Sequence, residues 1–477
     1  MHQVKDADES RKVNNFTTIS ALQASQGSQW ELRHSIFEGP DRGIHVLSSA
    51  DYFTTIYNEV QEKTKNYVTT ITDYWGRALS FQLVNASDGG PNYTWSSIAQ
   101  QDGLSTGQMP LPIVIADARA PGETLIPGNT TIFEFNPFEF GTWDPTTYGF
   151  IPLEYIGSNF SNGALPSSES CIRGFDNVGY VMGTSSSLFN QFLLQINSTN
   201  APSVFKDAIR VLLQHISNDD NDIAAYDPNP FFGYNPTGKS ANYVSQQLTL
   251  VDGGSDNQNI PFQPLQQPIR NVDVIFAIDS GADTTYSWPN GSSLVHTYQR
   301  NLNVSGVANG TSFPSIPGYD TFVNEGLNTR PTFFGCNASN TTTTTPLIVY
   351  LPNAPYTYFS NVSTFDPSYN MSQRDAIVEN GYYVATMGNG TLDAQWPTCV
   401  GCAVLSRSFD RTGTTVPSVC QQCFTKYCWD GTVNNTQPSV YNPVLMFPAA
   451  KANVAGRQSV GWGMGAVVAT MLALSWL

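Results

Sequence analysis

Leu250-Val251-Asp252-Gly253-Gly254, followed by Asp256-Asn257-Gln258-Asn259-Ile260-Pro261, joins an apolar run to a carboxylate and a pair of glycines. A strand over residues 247–251 delivers Asp252 at its carboxyl end, and Gly253 and Gly254 let the backbone turn sharply without steric penalty. A carboxylate presented there can hold and deprotonate a serine hydroxyl, which then attacks an ester carbonyl and forms an acyl-enzyme. The competing reading is an ordinary turn, the more frequent fate of Asp-Gly-Gly after an apolar run.

Outward from this segment, apolar runs predict strands at 113–116, 131–135, 272–278 and 347–351, besides 248–251. Helical spacing predicts helices over 51–63, 188–196 and 203–217. Strands about twenty or more residues apart with helices between them indicate an α/β fold whose parallel or mixed sheet is covered on both faces. The 477 residues are enough for one large core or two smaller ones, and 12% aromatic content supplies packing area. No internal repeat is visible, and the threonine run 341–345 reads as an exposed loop. Charged residues make up 13% and the net charge is -16, which argues against nucleic acid and against electrostatic binding to anionic lipid heads. Any lipid contact is then apolar and local.

Several blocks of this chain stand in one order. They are Trp30-Glu31-Leu32 with His34-Ser35-Ile36-Phe37, Trp75-Gly76-Arg77-Ala78-Leu79-Ser80, and Phe133-Glu134-Phe135-Asn136-Pro137-Phe138-Glu139 with Trp143-Asp144-Pro145. Then come Gly183-Thr184-Ser185-Ser186-Ser187-Leu188-Phe189-Asn190, the Asp252 segment, Asp273-Val274-Ile275-Phe276-Ala277 and Pro331-Thr332-Phe333-Phe334-Gly335-Cys336. In these blocks the chain resembles the fungal phospholipase B (lysophospholipase) family, related to the catalytic domains of cytosolic phospholipases and patatins. The resemblance implies a three-layer α/β/α architecture with a mixed, mainly parallel central sheet. It also implies hydrolysis of fatty-acyl esters of lysophospholipids or phospholipids through a Ser-Asp dyad, with Asp252 as the aspartate and no cofactor.

The family carries its nucleophile in a Gly-Leu-Ser-Gly-Gly-Ser motif, preceded by a glycine-rich segment with an arginine. Neither motif occurs in the 477 residues. Ser185, Ser186 and Ser187 follow Gly183 but lack the glycine two residues after the serine, and they read as a capped helix start. Two expectations follow: an incomplete gene model of a working lipase, which we favour, or a non-catalytic surface glycoprotein of the same fold. In either case the polypeptide as written is expected to be inactive.

Fifteen Asn-x-Ser/Thr sequons point to an exported chain: Asn15, Asn85, Asn92, Asn129, Asn159, Asn197, Asn290, Asn303, Asn309, Asn337, Asn340, Asn361, Asn370, Asn389 and Asn434. Residues 1–15 lack the apolar core of a secretory signal, the mark of a lost beginning. Residues 460–477 form a terminal apolar tail after small residues at 449–456, which fits a glycolipid-anchor signal better than a membrane span. Asn453 is the attachment candidate. The expected place is outside the cell, on its surface.

Seven cysteines, Cys171, Cys336, Cys399, Cys402, Cys420, Cys423 and Cys428, leave at least one without a partner. Cys399-x-x-Cys402 and Cys420-x-x-Cys423 have zinc-ribbon spacing, but an oxidising route favours disulfides, in a pairing left open. The expected organisation is a partial catalytic domain over 1–398, a cysteine-rich segment continuing it over 399–434, a linker over 435–459 and the anchor signal over 460–477.

Asp279 and Asp283 follow an expected strand and read as loop carboxylates, with a place in the Asp252 cleft as the alternative. Asp219, Asp220 and Asp222 lack the glycine and terminal glutamate of a calcium loop. No metal site is assigned. His34, His45, His215 and His296 receive no role, because the family's dyad needs no histidine.

Overall fold

The computed structural model describes residues 49–447, apart from 85, 87, 121–122, 124–127, 129, 191–202, 204–205, 208–209, 211–221, 237–239, 303–309, 337–344 and 363–367. The chain forms two compact units, one reaching Asp256 and the other beginning at Asn257. Asn453 and the apolar tail lie outside the described residues, as do His34, His45 and His215. Among the described residues no helix is long and apolar enough to cross a membrane.

In the first unit, helices α1 (Ser49–Thr64) and α2 (Ile71–Leu83) precede strands β1 (Val114–Ala118), β2 (Ile132–Phe135), β3 (Glu139–Thr142) and β4 (Gly149–Pro152). Helix α3 (Val178–Ser185) then leads toward β5 (Ala224–Tyr226) and β6 (Leu248–Asp252). The sheet order is β4-β3-β2-β1-β6-β5, and every neighbouring pair is antiparallel. This corrects the expected mainly parallel sheet for the first unit, and the turns give the reason. Asn136 Oδ1 accepts the amides of Phe138 and Glu139, both at 3.0 Å, and so reverses the chain between β2 and β3. Asp144 Oδ1 accepts Thr146 N–H at 2.9 Å between β3 and β4. Such tight reversals force antiparallel pairing, whereas a parallel pair needs a crossover of roughly a dozen residues or more.

One face of this sheet presents Val114, Ala116, Phe133, Phe135, Phe140, Tyr226, Leu248 and Leu250 to a core shared with Val178, Val181 and Met182 of α3. Strand periodicity puts Asp252 on the same face as Leu250 and Leu248, toward the helices. Asn177 caps α3 by accepting Tyr180 N–H at 3.2 Å. The Tyr180 hydroxyl donates to Ala225 O at 2.6 Å and so fixes α3 to β5.

In the second unit a small mixed sheet is covered on both faces. Strands β7 (Val274–Asp279), β8 (Thr332–Phe334) and β9 (Leu347–Pro352) lie in the order β7-β9-β8, with β7 parallel and β8 antiparallel to β9. Ile348 and Tyr350 pack on one side with Leu294 and Val295 of α4 (Ser292–Asn301). Leu347, Val349 and Leu351 pack on the other with Trp396, Cys399, Cys402 and Ala403 of α5 (Trp396–Thr412). A strand sealed on both faces is apolar at every position, as Leu347-Ile348-Val349-Tyr350-Leu351 is.

Helices α5 and α6 (Ser418–Tyr427) are joined by Cys399–Cys423 and Cys402–Cys420, and Cys336–Cys428 fastens the residues after α6 to those after β8. The zinc-ribbon spacing therefore serves disulfides: on two antiparallel helices, the outer cysteines meet each other and the inner ones do likewise. Cys171 is exposed and free, outside this cluster, the thiol that an odd count leaves without a partner here.

Candidate active site

Asp252 closes β6 opposite Ala116 of β1. Its carboxylate accepts the Gly254 amide at 2.7 Å and the Leu188 amide from the other side. Its own N–H donates to Ser187 Oγ at 3.0 Å. The turn after the strand is a right-handed 3-10 turn, Gly253–Asp256, and neither Gly253 nor Gly254 has a positive φ. In this turn Gly254 supplies an amide donor to the Asp252 carboxylate.

The serine run takes a structural part. Ser187 opens a 3-10 turn, Ser187–Asn190, in place of the expected helix start, and residues 191–196 lie outside the described residues. Ser186 Oγ donates to Met182 O at 2.7 Å and accepts Trp75 Nε1–H at 3.0 Å, which ties the end of α3 to α2. Asn190 Nδ2 donates to Thr72 Oγ1 at 2.8 Å, and that hydroxyl donates to Ile223 O at 2.8 Å, just ahead of β5. Sequence reasoning assigned no role to Thr72, Trp75 or Asn190. Trp75 and Asn190 carried only the signal of membership in blocks that stand in the family's order, and Thr72 carried none.

Burial raises the proton affinity of Asp252, the Gly254 and Leu188 amides oppose it, and the negative charge of Asp222 adds to it, so the carboxyl is pushed up to about 6. Such a group is ionised at neutral pH yet basic enough to take a proton from a hydroxyl brought within hydrogen-bond reach. The raised value also has a stability consequence. An unfolded aspartate titrates near ~3.9, so the native state binds the proton more tightly and loses stability as pH climbs from about 4 through about 6. Asp252→Asn keeps an acceptor for Gly254 and removes the charge. It is expected to stabilise the chain against urea by on the order of 2 kcal/mol at pH 8 and by nothing measurable at pH 4. Equal stabilisation at both values would show that burial of the charge is not the cause.

The other candidates are placed as follows. Asp222 binds Arg119, and Asp219 and Asp220 lie outside the described residues. In the second unit, buried Asp279 ends β7, accepting Gly281 N–H at 2.9 Å and the Tyr350 hydroxyl at 2.8 Å. Asp283 flanks the same glycine, and burial together with Asp279 pushes it up to about 6. His296 Nε2 shares a 2.7 Å hydrogen bond with the Tyr319 hydroxyl. Among the sequons, Asn92, Asn159, Asn370 and Asn389 are exposed, and Asn290, Asn361 and Asn434 are partly buried. Asn361 Nδ2, the atom a glycan would occupy, donates to Tyr286 O at 2.9 Å. Asn85, Asn129, Asn197, Asn303, Asn309, Asn337 and Asn340 lie outside the described residues.

The lysophospholipase catalytic domain family matches residues 10–434. The chain is 61% identical over 446 residues to lysophospholipase 1 of Aspergillus fumigatus, covering 93% of this chain and 70% of that protein. It is 58% identical over 437 residues to a lysophospholipase of Penicillium chrysogenum, covering 91% and 71%. It is 45% identical over 437 residues to lysophospholipase 1 of Saccharomyces cerevisiae, covering 89% and 65%. Human GIVD cytosolic phospholipase A2 superposes with a TM-score of 0.49 at 16% identity, over 75% of this chain and 48% of that one. The family match and the fungal relatives define the class, a hydrolase of lipid metabolism. Within it, the chain belongs to the lysophospholipase catalytic domain family.

Proposed function

We propose that this chain supplies the carboxylate half of a lysophospholipase, or phospholipase B, that hydrolyses fatty-acyl esters of lysophospholipids and phospholipids through a Ser-Asp dyad. The serine lies in sequence outside the 477 residues. The observation that carries the reading is the placement of Asp252, at a strand end, held by the amides of Gly254 and Leu188 and poised near neutrality. In the reaction, Asp252 takes the serine proton as the oxygen attacks the ester carbonyl. Collapse of the tetrahedral intermediate expels the lipid alkoxide, which leaves as the alcohol once it receives that proton, and an acyl-enzyme remains. Water, activated by the same carboxylate, then releases the fatty acid and restores the serine. Glycine amides and an arginine, also outside these residues, stabilise the oxyanion and bind the phosphate.

The setting we propose is the cell surface, on a glycosylated chain held by a glycolipid anchor. Support comes from the exposed sequons, the three disulfides and the apolar run 460–477. A non-catalytic surface glycoprotein is the second reading, favoured by the lack of the Gly-Leu-Ser-Gly-Gly-Ser motif in these residues.

The purified 477-residue chain is expected to release no fatty acid from lysophosphatidylcholine above the buffer rate. Turnover by that polypeptide would overturn the assignment of the nucleophile to sequence outside it. Sequencing the transcript through its 5′ end separates the two readings: an in-frame Gly-x-Ser-Gly-Gly supports the lipase, and a transcript starting at Met1 supports the glycoprotein.

A further inference from the structure

Around Asp252 the strand register brings two more charged residues to bear. Ala224 of β5 faces Leu250 of β6, and the same antiparallel register carried two residues further brings Asp222 level with Asp252. On the opposite side of β6, Ala118 of β1 faces Leu250, and the Arg119 amide donates to Thr249 O at 3.1 Å. The Arg119 guanidinium binds Asp222 with both arms, Nη1 to Oδ2 at 2.9 Å and Nη2 to Oδ1. A planar fork on a carboxylate therefore links residues from the two strands that flank β6. Arg119 is 6% exposed, and an unpaired charge there would be costly.

We propose that Arg119 and Asp222 are positioning residues for Asp252, an ion pair that sets the charge felt by the dyad carboxylate without touching substrate. This rests on the reading of Asp252 as the dyad base. With the pair intact, Arg119 compensates Asp222, and Asp252 stays ionised at the pH where it must accept a proton. Without Arg119, the Asp222 carboxylate repels the ionised form of Asp252. Without Asp222, the Arg119 cation attracts it. Other charged groups on the surrounding elements include Asp117 in β1, Asp256 in the turn after β6, and the Lys63–Asp73 and Arg77–Glu59 ion pairs between α1 and α2. Neither substitution alters any of them. A pair that merely fastened β1 to β5 would move the Asp252 titration in no systematic direction when cut.

The test is a carbon-13 NMR titration of the 477-residue chain labelled at aspartate carboxyl carbons, with the Asp252 signal assigned by its loss in Asp252→Asn. The midpoint should rise by about half a pH unit or more in Arg119→Met and fall by a similar amount in Asp222→Asn. In the double variant it should return toward the native value. Midpoints that stay in place, or that move the same way in both single variants, would overturn the proposal. If Arg119→Met does not fold, the near-isosteric Asp222→Asn decides alone, a fall supporting the proposal and a fixed midpoint refuting it. The titration needs no turnover. A failed dyad assignment would instead show as turnover that survives Asp252→Asn in a nucleophile-bearing chain, so the two failures are separable.

Discussion

Asp252→Asn, in a chain extended by the family's Gly-Leu-Ser-Gly-Gly-Ser segment, is expected to lower kcat/KM for lysophosphatidylcholine by about 10³- to 10⁴-fold. Asparagine preserves the shape of the side chain and its acceptor for the Gly254 amide, so the 3-10 turn after β6 should persist. What it removes is the proton acceptor, and with it the only means proposed here of turning a serine hydroxyl into a nucleophile. The loss should fall on kcat, with KM little changed, because Asp252 is assigned no contact with the acyl chain or head group. Asp252→Glu should also fail to restore turnover. Its extra methylene pushes the carboxylate out of the cradle made by the Gly254 and Leu188 amides.

Gly76→Ala is expected to cost about 2–3 kcal/mol of stability against urea, although alanine is the better helix former by about 1 kcal/mol. The reason is the crossing of α2 and α3. A Cβ at position 76 would lie 2.3 Å from Gly179 O and 2.8 Å from Gly179 C. From the other side, a Cβ on Gly183 would lie 2.7 Å from the Gly76 Cα. Backbone meets backbone here, and no flexible side chain can give way, so the helices must move apart. That movement reaches the site, because the turn after α3 carries the Ser187 hydroxyl and the Leu188 amide to Asp252. The Asp252 titration midpoint should therefore shift along with the stability. An alanine variant within about 0.5 kcal/mol of the native chain would show that the crossing tolerates a methyl group.

The parts of this fold that were legible in the sequence are those where one short segment carries the signal. The apolar runs ending at Asp252 and spanning 347–351 read as strands because they are too short for a buried helix. Asp252 at the end of its strand was read from its own neighbours. Pairing direction was not legible, since the number of residues between β1 and β2 does not say whether they turn back or cross over. The holding of Asp252 was hidden for a related reason, as Ser187 stands 65 residues earlier in the chain. Three serines in a row looked like a helix cap because capping is their commonest local use, and only the tertiary fold gives Ser187 its partner. The disulfide pairing was likewise hidden, because the spacing of Cys399, Cys402, Cys420 and Cys423 fits a metal and several pairings equally. Gly179 and Gly183 did carry a signal, four residues apart on one helix face, which marks a close approach between helices.

The central claim is that Asp252 must be ionised to activate a serine supplied by sequence outside these residues. The most direct measurement is the pH dependence of kcat/KM for lysophosphatidylcholine in the chain extended by the nucleophile segment. The account expects kcat/KM to rise with pH through a midpoint near 6, the value to which burial pushes Asp252, and to collapse across the whole range in Asp252→Asn. A profile flat between pH 4 and 8, or an asparagine variant that keeps its turnover, would contradict it.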